Sequence, residues 1–409
     1  MLNWSKQFSI LLLLDSNNCR DKYSRYECLL GAGMYDMSPV VELEALFTAH
    51  CQQPDWLFGH INYDYKDQLE RRLSSRHDIT IGFPDFFFFR PAIVCYITRG
   101  QQELVVETLT GDPQHVYGDI MNSPAEQAED IQAISFIRTT GKEKYLDTVG
   151  QLRGHIRQGD CYEINYCTEA HAENIDIEPA HVFHALNQLS RAPFAAYYRN
   201  GHRYMMCASP ERYIYKSGDT IISQPIKGTA RRGADTEEDT KIREQLYYST
   251  KDRAENVMIT DLVRNDLARS CNPGTIKVEE LFGIYTFPQV HQMISTISGQ
   301  LDAGRPFTDV IKYSFPMGSM TGAPKIKVME LIDRYEDARR GLFAGTVGYI
   351  TPGGDFDFNV VIRSLFYNSE KKLLSYQTGG AITYDSNAES EWEEMRLKAW
   401  ALEKVFAGR

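Results

Sequence analysis

Apolar residues run from Phe8 to Leu14 with only Ser9 between them, and aromatic and β-branched residues crowd Ile81 to Thr98, so both stretches predict strands. Between them, the spacing of apolar positions over Val40–Gln52 predicts a helix. The polar stretch Pro124–Gln132 predicts a connection, with a boundary near residue 135. From Gly141 onward the period alternates. A helix is expected over Lys142–Gln158, strands near Ala195–Arg199, Tyr204–Ala208 and Asn359–Phe366, and a helical block over Thr236–Ser270 that closes on Asn272-Pro273-Gly274. Thr236 with Asp239, and Ser249 with Asp252, have the spacing of a capping box, so the block is expected to be two helices. The mixture predicts an α+β protein, and 409 residues suffice for two domains or one large layered one.

Composition alters this picture little. With 43% hydrophobic and 24% charged residues the chain is globular, which excludes disordered and collagen-like classes. Charge says more. A formal net charge of −11 argues against a nucleic-acid partner, and an anionic small ligand would need local compensation from Lys, Arg, a helix N-terminus or a metal. The eight cysteines form no Cys-x-x-Cys and read as free thiols of a reducing, cytoplasmic compartment. Ile10–Leu14 and Phe86–Phe89, the latter cut off by Pro91, are too short to span a membrane, so no membrane partner is expected.

Candidate chemistry lies in four places. Ala208-Ser209-Pro210-Glu211-Arg212 precedes Pro225-Ile226-Lys227-Gly228-Thr229, and both prolines hold the preceding residue extended, as at a strand end entering a turn. There Lys227 could serve as a nucleophile and Glu211 as an acid or base, although a surface ion pair beside a turn has the same pattern. Asp252 with Glu255, and Glu391 with Glu394, are three apart and so share a helical face. If the two helices converge, they offer an all-oxygen site for Mg²⁺; a solvated acidic face near each helix N-terminus explains the spacing equally well. Gly318, Ser319, Thr321, Gly322, Pro324 and Lys325 open an apolar-periodic helix over Ile326–Ile332 and could aim N–H groups at an anion, or form a simple capped turn. Gly379-Gly380-Ala381 follows Arg363, a residue type that holds carboxylates in bidentate fashion or serves structure alone.

In order and spacing, five blocks resemble the chorismate-utilising family: Gly159-Asp-Cys-Tyr-Glu-Ile-Asn165, Ser209–Arg212, Pro225–Thr229, Asp252 through Asp266-Leu267, and Gly322–Lys325 with the C-terminal acidic pair. The resemblance runs from about Thr140 to Ala401, and Leu14-Asp15-Ser16 and Gly59–Tyr65 are similar to the family's first domain. It implies an anthranilate synthase component I-like fold of two interlocked subdomains, with packed central sheets and outer helices, divided into a region 1–135 and a chorismate-binding catalytic domain 136–409. It further implies Mg²⁺ on Glu255 and Glu394, with Glu391 and Asp252 in support, holding the ring carboxylate of chorismate. Arg363, Gly379 and Gly380 match positions that hold the substrate's carboxylates, and Ser319, Thr321, Gly322 and Lys325 of the glycine loop are expected to bind substrate beside them.

Within the family, alanine at the position of Lys227 is typical of anthranilate synthases and lysine of aminodeoxychorismate synthases. The resemblance therefore implies that Lys227 attacks ring C2, that Glu211 helps the C4 hydroxyl leave, and that ammonia then displaces the lysine to give 4-amino-4-deoxychorismate on the way to 4-aminobenzoate and folate. Gln292 stands where a histidine linked to pyruvate elimination is frequent, with His291 beside it as a possible substitute. Ala230, Arg231, Phe343 and Ala381 also depart from the usual pattern. No Gly-x-Cys-x-Gly elbow is present, so ammonia is expected from a separate glutamine amidotransferase subunit. Anthranilate synthase, an isochorismate or salicylate synthase, and a chorismate-binding regulatory subunit stay open as alternatives.

Overall fold

The computed structural model describes every residue except 20, 37–38, 76, 78–79, 125–130 and 408–409, so most of the expected connection over 124–132 lies outside the described residues. Two antiparallel sheets, of 11 and 9 strands, organise the α+β fold. Residues from both sheets, among them Leu12, Ala196, Tyr198 and Met205 of the first and Phe58, Phe88, Ile214 and Phe358 of the second, join in one apolar cluster. Their neighbours Leu11, Leu13, Tyr197 and Met206 point to the other face, where the helices Pro179–Ser190 and Ala388–Lys404 supply Phe183, Leu186, Ala399 and Leu402. Successive strand residues face opposite ways, so a strand covered on both faces is apolar throughout. That is why Ile10 to Leu14 of the strand Ile10–Asp15 reads as an unbroken apolar run.

The N-terminal residues extend both sheets. Strand Ile10–Asp15 pairs with Phe194–Asn200, and Leu57–Ile61 pairs with Thr346–Ile350, so the region before residue 135 is stitched into the rest of the chain strand by strand. The expected helices form, with small shifts at their ends: Leu43–Gln52, Lys142–Arg157, Thr236–Tyr248, Thr250–Ala268 and Lys325–Tyr335. Ser249 caps the second of the paired helices by accepting the Asp252 N–H at 3.3 Å. The first is capped by Asp235, not Thr236: its carboxylate accepts the Glu238 N–H at 2.8 Å, which displaces the box by one residue.

The chain passes between the sheets at two adjacent crossovers. Pro210 and Glu211 link Arg203–Ser209 of the first sheet to Arg212–Ser217 of the second, and residues 360–363 link Phe356–Asn359 back to Ser364–Asn368. Hydrogen bonds lace the crossovers together: Ser209 Oγ donates to the Val360 carbonyl at 2.6 Å, and the Val360 N–H donates to the Glu211 carbonyl at 3.0 Å. The continuous strand expected over Asn359–Phe366 is therefore broken. Val360 and Val361 are buried at the crossover, which accounts for their strand-like apolar pattern, and Arg363 adopts the left-handed conformation with φ of 53°.

Candidate active site

A cleft of about 980 Å³ opens beside these crossovers. Lys227 enters it from the edge strand Ile226–Arg231, whose pairing jumps from Ile226↔Ile294 to Thr229↔Gln292. Three steps on one strand against two on its partner make a β-bulge, which re-aims the side chains it contains. Gly228 has φ of 94°, and a Cβ there would sit 3.0 Å from Asp252 Oδ1, so only glycine fits this bend beneath the helix. Glu211 joins Lys227 in the cleft from its crossover, Arg363 from the second crossover, and Gly379 and Gly380 from strand Leu373–Ile382. Helix Thr250–Ala268 contributes Asp252 and Glu255, and helix Ala388–Lys404 contributes Glu394, so the two acidic pairs converge. Glu391 is buried next to them: a Cβ on Gly380 would lie 3.5 Å from Glu391 Oε2 and 3.9 Å from Glu394 Oε1. The bare glycine keeps that approach open.

Ser319 lines the cleft, but Thr321, Gly322 and Lys325 do not, which corrects their expected place beside the substrate. Thr321 is buried with its hydroxyl donating to the Met317 carbonyl, and Gly322 pairs with Ile164 at the sheet edge. Lys325 turns away to Asp266 at 2.6 Å and to the Ser314 carbonyl at 2.9 Å. These three residues brace the wall that presents Ser319, Met320 and Asn165, whose Nδ2 donates to the Ser319 carbonyl. His291 is also excluded. Strand alternation sends it to Asp239 at 3.0 Å and Thr286 at 2.9 Å, while Gln292 faces the cleft, so the register leaves no room for a substitution.

Three residues were given no role by the sequence. Lys251 reaches Glu391 at 3.4 Å and Glu255 at 3.9 Å, and Lys398 reaches Glu394 at 2.8 Å and the Gly379 carbonyl at 2.9 Å. Both lysines lie four residues from a carboxylate on their own helix, a spacing that was visible in the sequence. The third is Glu163, fully buried on strand Glu163–Ala172, whose Oε1 accepts a hydrogen bond from Lys227 Nζ. It lies sixty-four positions away in the chain, and no local spacing announces it.

Charge in the cleft is balanced, in contrast to the acidic whole. Lys227, Lys251, Arg363 and Lys398 face Glu211, Asp252, Glu255 and Glu394. Burial pushes Glu211 up to about 7 against the opposing pull of the neighbouring Ser319 and of Lys227. Glu255 is likewise lifted to about 7, first by burial and also by Glu163, against Lys227. Burial alone would lower the Lys227 ammonium, but Glu163, Glu255 and Glu211 outweigh it, and the group lies above its ordinary value. Lys227 therefore rests as a cation, not as the desolvated free amine that a nucleophile requires. The guanidinium of Arg363 is depressed to about 10 by burial, and its one hydrogen bond is to the Lys398 carbonyl at 3.4 Å among the described residues. That leaves donors of its fork for an incoming carboxylate.

One oxygen tests the expected cation. Glu255 Oε1 is buried without a hydrogen-bond partner among the described residues, and the carboxylates of Glu391 and Glu394 lie on the facing helix. A carboxylate oxygen with Lys251 3.9 Å away, beyond hydrogen-bond reach, standing among converging acids, is of the donor type that a hard cation takes. The donor chemistry fits Mg²⁺, although among the described residues no three of these acids stand in ligating positions while Lys251 and Lys398 hold them.

Residues 26–404 match the family described as chorismate binding enzyme. The chain is similar to aminodeoxychorismate synthase component 1 of Escherichia coli (strain K12), 40% identical over 253 residues, covering 62% of this chain and 55% of that protein. It is also similar to aminodeoxychorismate synthase component 1 of Klebsiella aerogenes, 35% identical over 341 residues, covering 82% of this chain and 74% of that protein. The match thus spans about half the length of the first relative and three quarters of the second. Among solved structures, anthranilate synthase component I from Streptococcus pneumoniae superposes with a TM-score of 0.79 over 96% of this chain and 92% of that one, at 24% identity, which speaks to the fold.

Proposed function

This chain belongs to the chorismate binding enzyme family, and on that premise we propose that it converts chorismate and ammonia to 4-amino-4-deoxychorismate through a covalent bond to Lys227. The observation that carries the reading is the bulge that turns Lys227 into the cleft together with Glu211. Lys227 Nζ bonds to ring C2 as the C4–O bond breaks, and Glu211 protonates the departing hydroxyl. Ammonia then bonds to C4, the C2–N bond breaks, and Glu211 recovers a proton from the new ammonium. Arg363 grips a substrate carboxylate. Glu255, Glu394 and Glu391, with Asp252 behind them, would hold Mg²⁺, which when bound supplies positive charge for the ring carboxylate. Gln292 in place of a histidine favours release at the aminated stage over pyruvate elimination. A separate glutamine amidotransferase subunit is the proposed ammonia source and the cytoplasm the proposed location; among the described residues no helix is long and apolar enough to cross a membrane. Residues 136–409 are proposed as the catalytic domain and 1–135 as its N-terminal complement.

Incubation with chorismate, Mg²⁺ and ammonium tests the product. 4-Aminobenzoate should form only after aminodeoxychorismate lyase is added, and fluorescent anthranilate formed without the lyase would refute the assignment.

The pH profile follows from Glu211. Its carboxyl is raised from 4.5 to about 7, so the proton that the leaving hydroxyl needs is half present near neutrality. Turnover should fall about tenfold per unit at higher pH as that proton is lost. Glu211→Gln should remove this limb and lower kcat by about 10²–10⁴-fold. Stability has the matching sign: the folded chain holds this proton more tightly than the unfolded one, so the contribution is complete below 4.5 and lost as pH rises through about 7. The glutamine variant should gain stability relative to wild type above pH 7, as read by thermal melts at pH 5 and 8.

A further inference from the structure

Three carboxylates act on the Lys227 ammonium, and two of them have other work in the proposed reaction. Glu211 must keep its own proton for the leaving hydroxyl, and Glu255 faces the cation site. Glu163 is different. It is fully buried and absent from the cleft wall, it touches Lys227 Nζ directly through Oε1, and its Oε2 has no hydrogen-bond partner among the described residues. Its backbone is fixed where strand Glu163–Ala172 pairs with Gly322–Ala323, and Asn165, two residues on and therefore on the same face, is tied to the Ser319 carbonyl. Among the described residues no other donor holds the carboxylate through Oε2, so Oε1 is free to take the proton along its hydrogen bond from Lys227.

We infer that Glu163 is the base that takes the proton from the Lys227 ammonium and so generates the attacking amine, an inference that rests on the covalent reading above. The cycle balances. An N–H bond of Lys227 breaks and an O–H bond forms on Glu163, leaving a neutral amine and a neutral acid. The amine bonds to C2, the C4–O bond breaks, the Glu211 proton leaves with the hydroxyl as water, and the linking nitrogen carries the positive charge. Ammonia bonds to C4, the C2–N bond breaks with its electrons returning to Lys227, and the surplus proton on the product nitrogen passes to Glu211. The acid of Glu163 then returns its proton to the Lys227 amine. No oxidant or further reactant is needed. The resting ion pair thus protects the nucleophile as an ammonium, and proton transfer across one hydrogen bond releases it.

The test is single-turnover formation of the lysine adduct, followed by intact-protein mass spectrometry from pH 6 to 10 with chorismate, Mg²⁺ and ammonium. Glu163→Gln keeps the shape and the acceptor but not the base. It should slow adduct formation by about 10²-fold at pH 7, with KM for chorismate little changed, and flatten the fall above pH 7 that Glu211 imposes on the wild type, as solvent takes over the deprotonation. Lys227 is also faced by Glu211 from the crossover and Glu255 from the helix, so the profile is compared with that of Glu211→Gln, which retains Glu163. Glu163→Ala provides a second arm: added formate should restore part of its rate, a rescue that a purely structural role does not allow. A wild-type rate and pH profile in Glu163→Gln, or a slowed Glu163→Ala indifferent to formate, overturns the inference while Lys227→Ala stays inactive. Undiminished turnover in Lys227→Ala is a separate result, and it removes the covalent reading itself.

Discussion

Lys227→Ala should lower the formation of 4-amino-4-deoxychorismate by at least about 10³-fold, which is ~4 kcal/mol of transition-state stabilisation. The covalent step divides one difficult allylic substitution into two easier ones, and among the described residues the other amines lining the cleft, Lys251 and Lys398, are held by carboxylates on the helices. Alanine has a second effect, since it strands the buried carboxylate of Glu163. A fall in activity could then report lost stability. Lys227→Arg separates the two. A guanidinium keeps the positive charge beside Glu163 but stays protonated at any working pH and cannot attack. The arginine variant should therefore melt near the wild-type temperature, bind chorismate and fail to turn over. Equal turnover in the arginine variant and the wild type would leave Lys227 with an electrostatic role only.

The chemistry of the cleft was more legible in the chain than the way the cleft is built. Lys227, Glu211, Glu255 and Glu394 stand in short blocks whose residue types and order carry the family resemblance, and the fold brings all four to one cleft. What stayed hidden is non-local. The ion pair of Lys227 with Glu163 joins strands of different sheets, and with Glu255 and Glu211 it outweighs the lowering that burial alone would give the lysine's proton affinity. The two crossovers were hidden for a different reason: Val360 and Val361 are apolar because they are buried at the passage between sheets, a burial that periodicity alone reads as a strand. Thr321, Gly322 and Lys325 looked like ligand groups because a glycine-rich turn before a helix is the usual anion cradle. Here the lysine's partner Asp266 lies on another helix, and only tertiary packing could show that the turn supports the wall from behind.

Arg212 brings the two themes together, because it belongs to a chemically suggestive block yet serves the frame. It follows Glu211 directly, and its side chain is wholly buried. Nε and Nη2 each donate to the Asp357 carboxylate at 2.9 Å, Nη2 also reaches Asp21 at 2.6 Å, and the guanidinium lies 4.8 Å from the Phe194 ring centroid. One cation thus neutralises two largely buried acids from opposite ends of the chain and pins the crossover that holds Glu211. Arg212→Met should cost about 3–5 kcal/mol of stability, because both carboxylates are then left without their counter-ion. Glu211→Gln, one residue away, should cost none at neutral pH. A double variant that also carries Asp357→Leu should regain part of the loss, since a well-packed apolar pair can match a buried ion pair while a single stranded acid does not. Urea midpoints of the four proteins in this cycle decide the matter: an unshifted midpoint in Arg212→Met would mean that the acids find other partners, and activity lost without stability would move Arg212 from the frame to the chemistry.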